Sequence, residues 1–390
     1  GNGSGAAELD ATINFGQRPF KYAQSGFNGW CTHSLPDTFS EANANNCRKF
    51  FDTVLYEGLG TGNAKDITGL QFSPDLIWSK ARDYADPHGV YDQTMGTSAY
   101  MNIGSDSEKQ TDGGLSSFDS DGYTYATASH VEGNGSGTNY VNWIWSAGDA
   151  QTTNLDGGSV TIAANKQFVS TEAGLSITSL TTPASGNSFT FAHNLGAKPA
   201  FIWAHQQSGG GSHRYMWHHS FPGTNYLISN IANDVGASTS HWLNQTQPTN
   251  TLVTDRSYQM WGRGVDMTYY VWTEIPGFSK FGKYVGNAQS SEASTPFIHL
   301  GFRPRWFMTK RDADNANWRI SDIDRSDIRG FNPHDQKLYT DGDWVEGSGD
   351  PIQFLSNGIK LWDGDHGFNA ASDFYYWAFA EHPFKTAKAR

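Results

Sequence analysis

Leu70-Gln-Phe-Ser-Pro74-Asp-Leu-Ile-Trp78-Ser-Lys80 returns as Leu195-Gly-Ala-Lys-Pro199-Ala-Phe-Ile-Trp203-Ala-His205 and again as Leu300-Gly-Phe-Arg-Pro304-Arg-Trp-Phe-Met308-Thr-Lys310. Each copy is a leucine, three residues, a proline and a hydrophobic run of strand length. Proline presets an extended φ and lacks a backbone donor, so it belongs at the start of a strand rather than inside one. A second set closes each unit: Tyr140-Val-Asn-Trp-Ile-Trp145, Tyr269-Tyr-Val-Trp272-Thr-Glu274 and Tyr375-Tyr-Trp-Ala-Phe379-Ala-Glu381. The spacing is 71 residues from Pro74 to Trp145, 73 from Pro199 to Trp272 and 75 from Pro304 to Phe379. Such constancy marks an internal threefold repeat, which is the first thing to establish about a fold.

Outward from these anchors, Phe118-Asp-Ser-Asp-Gly122-Tyr and Phe354-Leu-Ser-Asn-Gly358-Ile echo each other in the first and third units, where Asp-Gly or Asn-Gly signals a hairpin turn. The second unit has no such echo. Between anchors run short period-2 stretches separated by Gly, Ser, Asn, Asp and Thr, and few windows carry a helical stripe. The sequence therefore predicts an all-β chain of tandem antiparallel β-sandwich modules, three related units with long loops. The expected organisation is an N-terminal remnant or linker of an upstream lectin-like domain over 1–49, then repeats over 50–150, 160–277 and 278–390. The second boundary is so short that units two and three are expected to pack together.

Composition narrows the function. The 390 residues carry 27 basic against 39 acidic side chains, a net charge of −12. Phosphate neutralisation then cannot be the main source of affinity, and nucleic acid is not an expected partner. No stretch approaches the ~20 apolar residues of a membrane helix, so no membrane insertion is expected. The chain starts at Gly1 with no signal-peptide pattern, and an upstream segment is expected. Cys31 and Cys47, the two cysteines, exclude a disulfide framework and leave open one bridge or two free thiols.

Residues capable of chemistry have plainer roles here. In Trp217-His-His-Ser220 the two histidines point to opposite faces of a strand, so the group His205, His213, His218 and His219 predicts no metal site. Asp119-Ser-Asp121-Gly122 and Asp363-Gly-Asp365 lack the remaining ligands of a calcium loop and read as turns. Gly133-Asn-Gly135-Ser-Gly137 has no helix after it to bind phosphate. There is no Gly-x-Ser-x-Gly elbow, phosphate loop or His-Glu-x-x-His helix. No catalytic residue, cofactor or metal is expected, and the chain reads as a non-enzyme. Trp78, Trp145, Trp203 and Trp272 read as core anchors, whereas Tyr215, Trp217, Trp242 and Trp318 lie outside the repeated anchors and are the candidate binding residues.

The N-terminal run Ile13-Asn-Phe-Gly-Gln-Arg-Pro-Phe20, with Gly26-Phe27 and Leu35-Pro-Asp37, resembles the seam after a SPRY-like, lectin-like sandwich in tailed-phage virion proteins. Pro276-Gly-Phe-Ser-Lys-Phe-Gly-Lys-Tyr284-Val-Gly-Asn287, Gly301-Phe-Arg-Pro304 and Ala378-Phe-Ala-Glu381-His-Pro-Phe384-Lys are similar to repeats in fibre-like and adhesin-like proteins of marine phages, cyanophages included. The resemblance implies a virion surface structural protein: a tail fibre, head fibre or other receptor-binding appendage. Expected partners are other virion proteins, like subunits in a homotrimer, and a host cell-surface glycan or protein. The alternative it leaves is a phage-borne depolymerase acting on host polysaccharide through two facing carboxylates.

Overall fold

The computed structural model describes residues 47–381 apart from 106, 112, 128–132, 210–213, 222–224, 238–246, 257–261, 292, 314, 326–332 and 363–366. The motifs between Ile13 and Asp37, Cys31, His213, Trp242 and Asp363-Gly-Asp365 lie outside the described residues.

The chain is all-β. The first unit holds β1 (Phe51–Glu57), β2 (Lys65–Thr68), β3 (Leu76–Ala81), β4 (Gly89–Asp92), β5 (Met101–Asn102), β6 (Leu115–Asp119), β7 (Gly122–Tyr125) and β8 (Asn139–Trp145). A small hairpin, β9 (Leu155–Asp156) and β10 (Thr161–Ile162), leads to the second. That unit holds β11 (Gln167–Ser170), β12 (Leu175–Thr181), β13 (Phe189–Ala192), β14 (Phe201–Gln206), β15 (Tyr215–His218), β16 (Asn225–Ile228), β17 (Gly236–Ala237), β18 (Leu252–Asp255) and β19 (Asp266–Trp272). The third holds β20 (Ser279–Val285), β21 (Phe297–His299), β22 (Pro304–Arg311), β23 (Arg319–Asp322), β24 (Ile352–Leu355), β25 (Gly358–Leu361) and β26 (Asp373–Ala380).

Each unit is two antiparallel sheets. The larger sheets run β1-β8-β3-β4-β5, β11-β12-β19-β14-β15-β16-β17 and β20-β26-β22-β23, and share one four-strand pattern. The smaller run β2-β7-β6, β13-β18 and β21-β25-β24. Register makes the repeat quantitative: Leu76 lies opposite Trp145, Phe201 opposite Trp272 and Trp306 opposite Phe379. Pro74, Pro199 and Pro304 therefore stand at one equivalent position, two residues before this pair. The hairpin echo has a steric cause. A Cβ on Gly122 would lie 1.8 Å from the Ile67 carbonyl oxygen, and one on Gly358 would lie 2.1 Å from that of Ile298. In the second unit Leu252, opposite Ala192, takes this register position, which is why the echo is missing there.

The period-2 expectation fails in the central strands. β3 and β14 are buried at every position, and β8, β19, β22 and β26 at all but one terminal residue. Their sheets are covered on both faces, so both alternating sets of side chains are apolar. One face of the first unit packs on its own small sheet, through Ile77, Tyr91, Tyr123, Tyr125 and Ile144. The other belongs to a core shared by all three units. There Trp78 lies 5.0 Å from Trp203 and 6.3 Å from Trp306, Trp145 lies 6.4 Å from Trp272, and Phe201 lies 5.3 Å from Trp377. The gap among these rings is only about 20 Å³, far below the ~300 Å³ of a small ligand pocket. The rings are a core and not a binding cavity.

Because every unit borrows this core, the structure predicts one unfolding transition. Trp203→Ala should cost about 3–5 kcal/mol. In urea, near-UV and far-UV circular dichroism should shift together to a lower midpoint; a separate early transition with the rest unchanged would contradict the shared core.

Candidate functional site

The shared face continues past the tryptophans. Two residues beyond Trp78, Trp203 and Met308 stand Lys80, His205 and Lys310, equivalent by register and fully buried. The Lys80 ammonium donates to the Ala81 carbonyl at 2.9 Å and that of Lys310 to the Arg311 carbonyl at 2.7 Å. Burial pulls both lysines down to about 8, against the pull of nearby carboxylates. His205 packs edge-on against Trp203 at 4.2 Å, and neither ring nitrogen has a hydrogen-bond partner among the described residues. Burial, and then the Arg214 charge, hold it neutral.

A loop from a neighbouring unit closes over each of these positions. Glu346 N–H donates to the Arg82 carbonyl at 2.7 Å and Lys109 N–H to the Gln207 carbonyl at 3.0 Å. Val235 N–H donates to Asp312 Oδ1 at 2.9 Å. Arg82, Gln207 and Asp312 each lie two residues past the buried cationic position, so the clasp repeats around the pseudo-threefold axis. A second ring of contacts repeats deeper in. Trp143 Nε1 donates to Asp322 Oδ2 of unit three at 2.9 Å, and Tyr270 OH to Asp92 Oδ2 of unit one at 2.6 Å. Trp377 lies edge-on to His218 of unit two at 5.3 Å. Asp322, Asp92 and His218 occupy equivalent positions, opposite Trp306, Leu76 and Phe201.

The seam between units one and three is the most charged. Arg82 forks onto Glu346 at 2.8 and 3.0 Å, and buried Arg325 donates to Glu346 at 3.0 Å and to Asp322 at 2.6 Å. Burial pushes the Asp322 carboxyl up, but Arg325, His334 and the hydrogen bonds from Trp143 and Arg325 together more than offset this, and it ends below its usual range. Arg305 bridges Asp52 and Asp324 in the same manner, at 2.6 Å to each. These neighbouring carboxylates are thus held by guanidinium groups, a structural use of paired acids.

This seam also carries exposed rings. Tyr84 is 54 % exposed, Trp344 48 % and Val345 45 %. The bond from Glu346 N–H to the Arg82 carbonyl joins the two segments that carry the rings, with Tyr84 two residues past Arg82 and Trp344 two residues before Glu346. The Trp344 ring stands edge-on to Tyr339 at 5.4 Å and covers Gly342, whose Cβ would fall 2.4 Å from ring carbons. The loop beneath is fixed by Lys337 pairing with Gly347, and by Tyr339, whose carbonyl accepts from His88 Nε2 at 2.7 Å. His88 Nδ1 accepts from Trp78 Nε1 at 2.8 Å, which ties the loop to the core. Asp83 and Asp343 flank the rings and are exposed.

Of the residues expected to bind, the three that are described are buried. Tyr215 and Trp217 lie in β15, buried, and Trp318 is buried with its Nε1 donating to the Ile228 carbonyl at 3.1 Å. Polar sequence neighbours misled here: Arg214 is itself buried, and Arg319 pairs with Asp350 at 3.0 Å. Trp344, in Asp341-Gly342-Asp343-Trp344, fits the same criterion of a tryptophan in a polar turn and was missed. His205 and His218 belong to separate contacts, and no group of three His, Cys, Asp or Glu side chains could hold a metal among the described residues. Asp119 closes the β6–β7 turn by accepting from Ser117 at 3.1 Å, and the Gly133–Gly137 loop is tied down by Asn134, which accepts from Leu59 N–H at 2.8 Å.

Fold and seams define a class: three β-sandwiches fused in one chain around a common aromatic core. Residues 46–383 match a family described as a domain of unknown function, DUF7483, and the chain belongs to that family. No curated protein matches it.

His205 gives a signed test. Unfolded, it takes up a proton near pH 6.5; folded, it does so only well below that value. Its contribution is therefore intact above pH 6.5 and lost as pH falls through the folded value. The stability of His205→Leu relative to the natural protein should rise on acidification below pH 6.5, by up to about 1.4 kcal/mol per pH unit. Urea midpoints between pH 7.5 and 5 measure it; a difference independent of pH would contradict the neutral, buried imidazole.

Proposed function

We infer that the chain is a non-enzymatic module of a tailed-phage virion surface, part of a tail fibre, head fibre or other appendage that adheres to the host surface. The observation that carries adhesion is the exposed pair Tyr84 and Trp344 on a seam locked from below by the Arg82–Glu346–Arg325 network. Solvated rings on a fixed loop are recognition features, since rigid aromatics contribute contact area at low entropic cost. The virion setting rests on the likeness of Pro276–Asn287 and Gly301–Pro304 to fibre-like repeats. Its partners are other virion proteins, a host glycan or protein, and like subunits, proposed as a homotrimer from the same likeness. Three copies raise avidity through effective concentration. The aromatic surface that would have called for coverage by neighbours is already covered within one chain.

Two measurements test this reading. Antibody to the chain should label a defined appendage in negative-stain images of virions, and the purified chain should bind host cells without releasing reducing sugar from their polysaccharide. An unlabelled virion overturns the setting. Sugar release abolished by a single Asp or Glu substitution overturns the non-enzymatic assignment in favour of a depolymerase.

A further inference from the structure

We propose that the Tyr84–Trp344 seam is a saccharide platform on which Trp344 stacks against the apolar face of a neutral or amino-bearing sugar ring; the proposal deepens the adhesion reading and rests on it. Three observations converge. First, the three seams are clasped at equivalent positions, yet only this one displays exposed large aromatic rings among the described residues. Packing does not demand them, because at the other two seams the described places two residues from the clasp hold small or polar residues: Gly209 and Ser107 at one, Asn233 at the other.

Second, the Trp344 ring is preorganised. Gly342 is the floor on which it lies, and no side chain fits there. Tyr339 supports its edge, and Tyr339 is in turn bonded through His88 to the core. A ring held in this way, half exposed, offers a flat apolar surface without further ordering, which is the geometry that C–H groups of a pyranose stack upon.

Third, the rim has the polar groups a sugar needs and the charge that narrows its class. Asp83 is held by Asn139, which donates its N–H at 2.9 Å and its side-chain amide at 2.5 Å, and the Asp343 main chain accepts from Lys80 at 3.4 Å. The Asp83 carboxylate and the Asp343 main chain are therefore placed by bonds to a rigid frame, and both side chains are exposed acceptors for hydroxyl or ammonium groups. The Glu346 charge is offset by Arg82 and Arg325, so the two exposed aspartates dominate the rim, in a chain of net charge −12. A uronate or sulfated saccharide would meet like charge, which sets a selectivity as well as a site.

The test uses the full chain on an array of neutral, amino-bearing, uronate and sulfated oligosaccharides, followed by titration calorimetry on the best binder. The expected result is binding to neutral or amino-bearing members. Trp344→Ala should lose at least tenfold in affinity, Trp344→Phe should retain part of it, and Phe297→Ala, exposed elsewhere, should leave it unchanged. Circular dichroism and the unfolding midpoint check that each variant is folded; if Trp344→Ala is not, Tyr84→Ala and Asp343→Asn must show the loss instead. Binding of no member, binding of acidic members alone, or affinity indifferent to all these variants overturns the proposal. A parallel host-cell binding assay separates the two readings. Cell binding that survives Trp344→Ala defeats the platform and leaves adhesion standing, whereas Trp344-dependent saccharide binding without cell binding does the reverse.

Discussion

Burial of each large sheet on both faces is the constraint on which this structure depends. A sandwich of about 100 residues ordinarily buries one face of each sheet and solvates the other. Here the outer faces of three large sheets are themselves apolar, with Trp78 and Trp145, Trp203 and Trp272, and Trp306 and Trp377 pointing away from each unit's own interior. Exposed, those faces would be contiguous patches large enough to drive association. Folded against one another, they close around a gap of about 20 Å³. The fused chain thus satisfies internally what three separate sandwiches would need oligomerisation to satisfy.

The shared core also explains the divergence of the seams. Each joins two units at equivalent positions, but the chemistry differs: guanidinium and carboxylate between units one and three, a tyrosine hydroxyl on Asp92 between units two and one, and edge-on rings at His218 between units three and two. What geometry requires is that every polar group entering the core find a partner or stay uncharged. Lys80, Lys310 and His205 meet this in different ways, the lysines through main-chain carbonyls and the histidine by remaining neutral. Once that condition is met, the exposed rim is free to vary, and the aromatic seam at Tyr84 and Trp344 is where it has done so.

Much of the fold was legible from spacing. The three Leu-x-x-x-Pro runs and the closing aromatic runs gave the units, and their registers agree to the residue. Less legible was which surface each tryptophan buries. Trp78 and Ile77 are both apolar, and nothing local distinguishes a face turned to its own unit from one turned to a neighbour. The site was harder still. Tyr215, Trp217 and Trp318 sit among polar residues whose partners are distant in sequence, so polarity of the neighbourhood mimicked exposure. Trp344 has the same kind of neighbours, but its loop folds over a seam rather than into the core. That difference is tertiary.

The central claim is that no unit has a complete core of its own. Its most direct test is to produce residues 46–150 alone and record the dispersion of its amide NMR spectrum and its hydrogen exchange. The structure predicts an aggregated or collapsed chain without protected amides in β3 and β8, because the face carrying Trp78, Trp143 and Trp145 has lost its partners. A monomeric fragment with native dispersion and strongly protected β3 and β8 amides would contradict it.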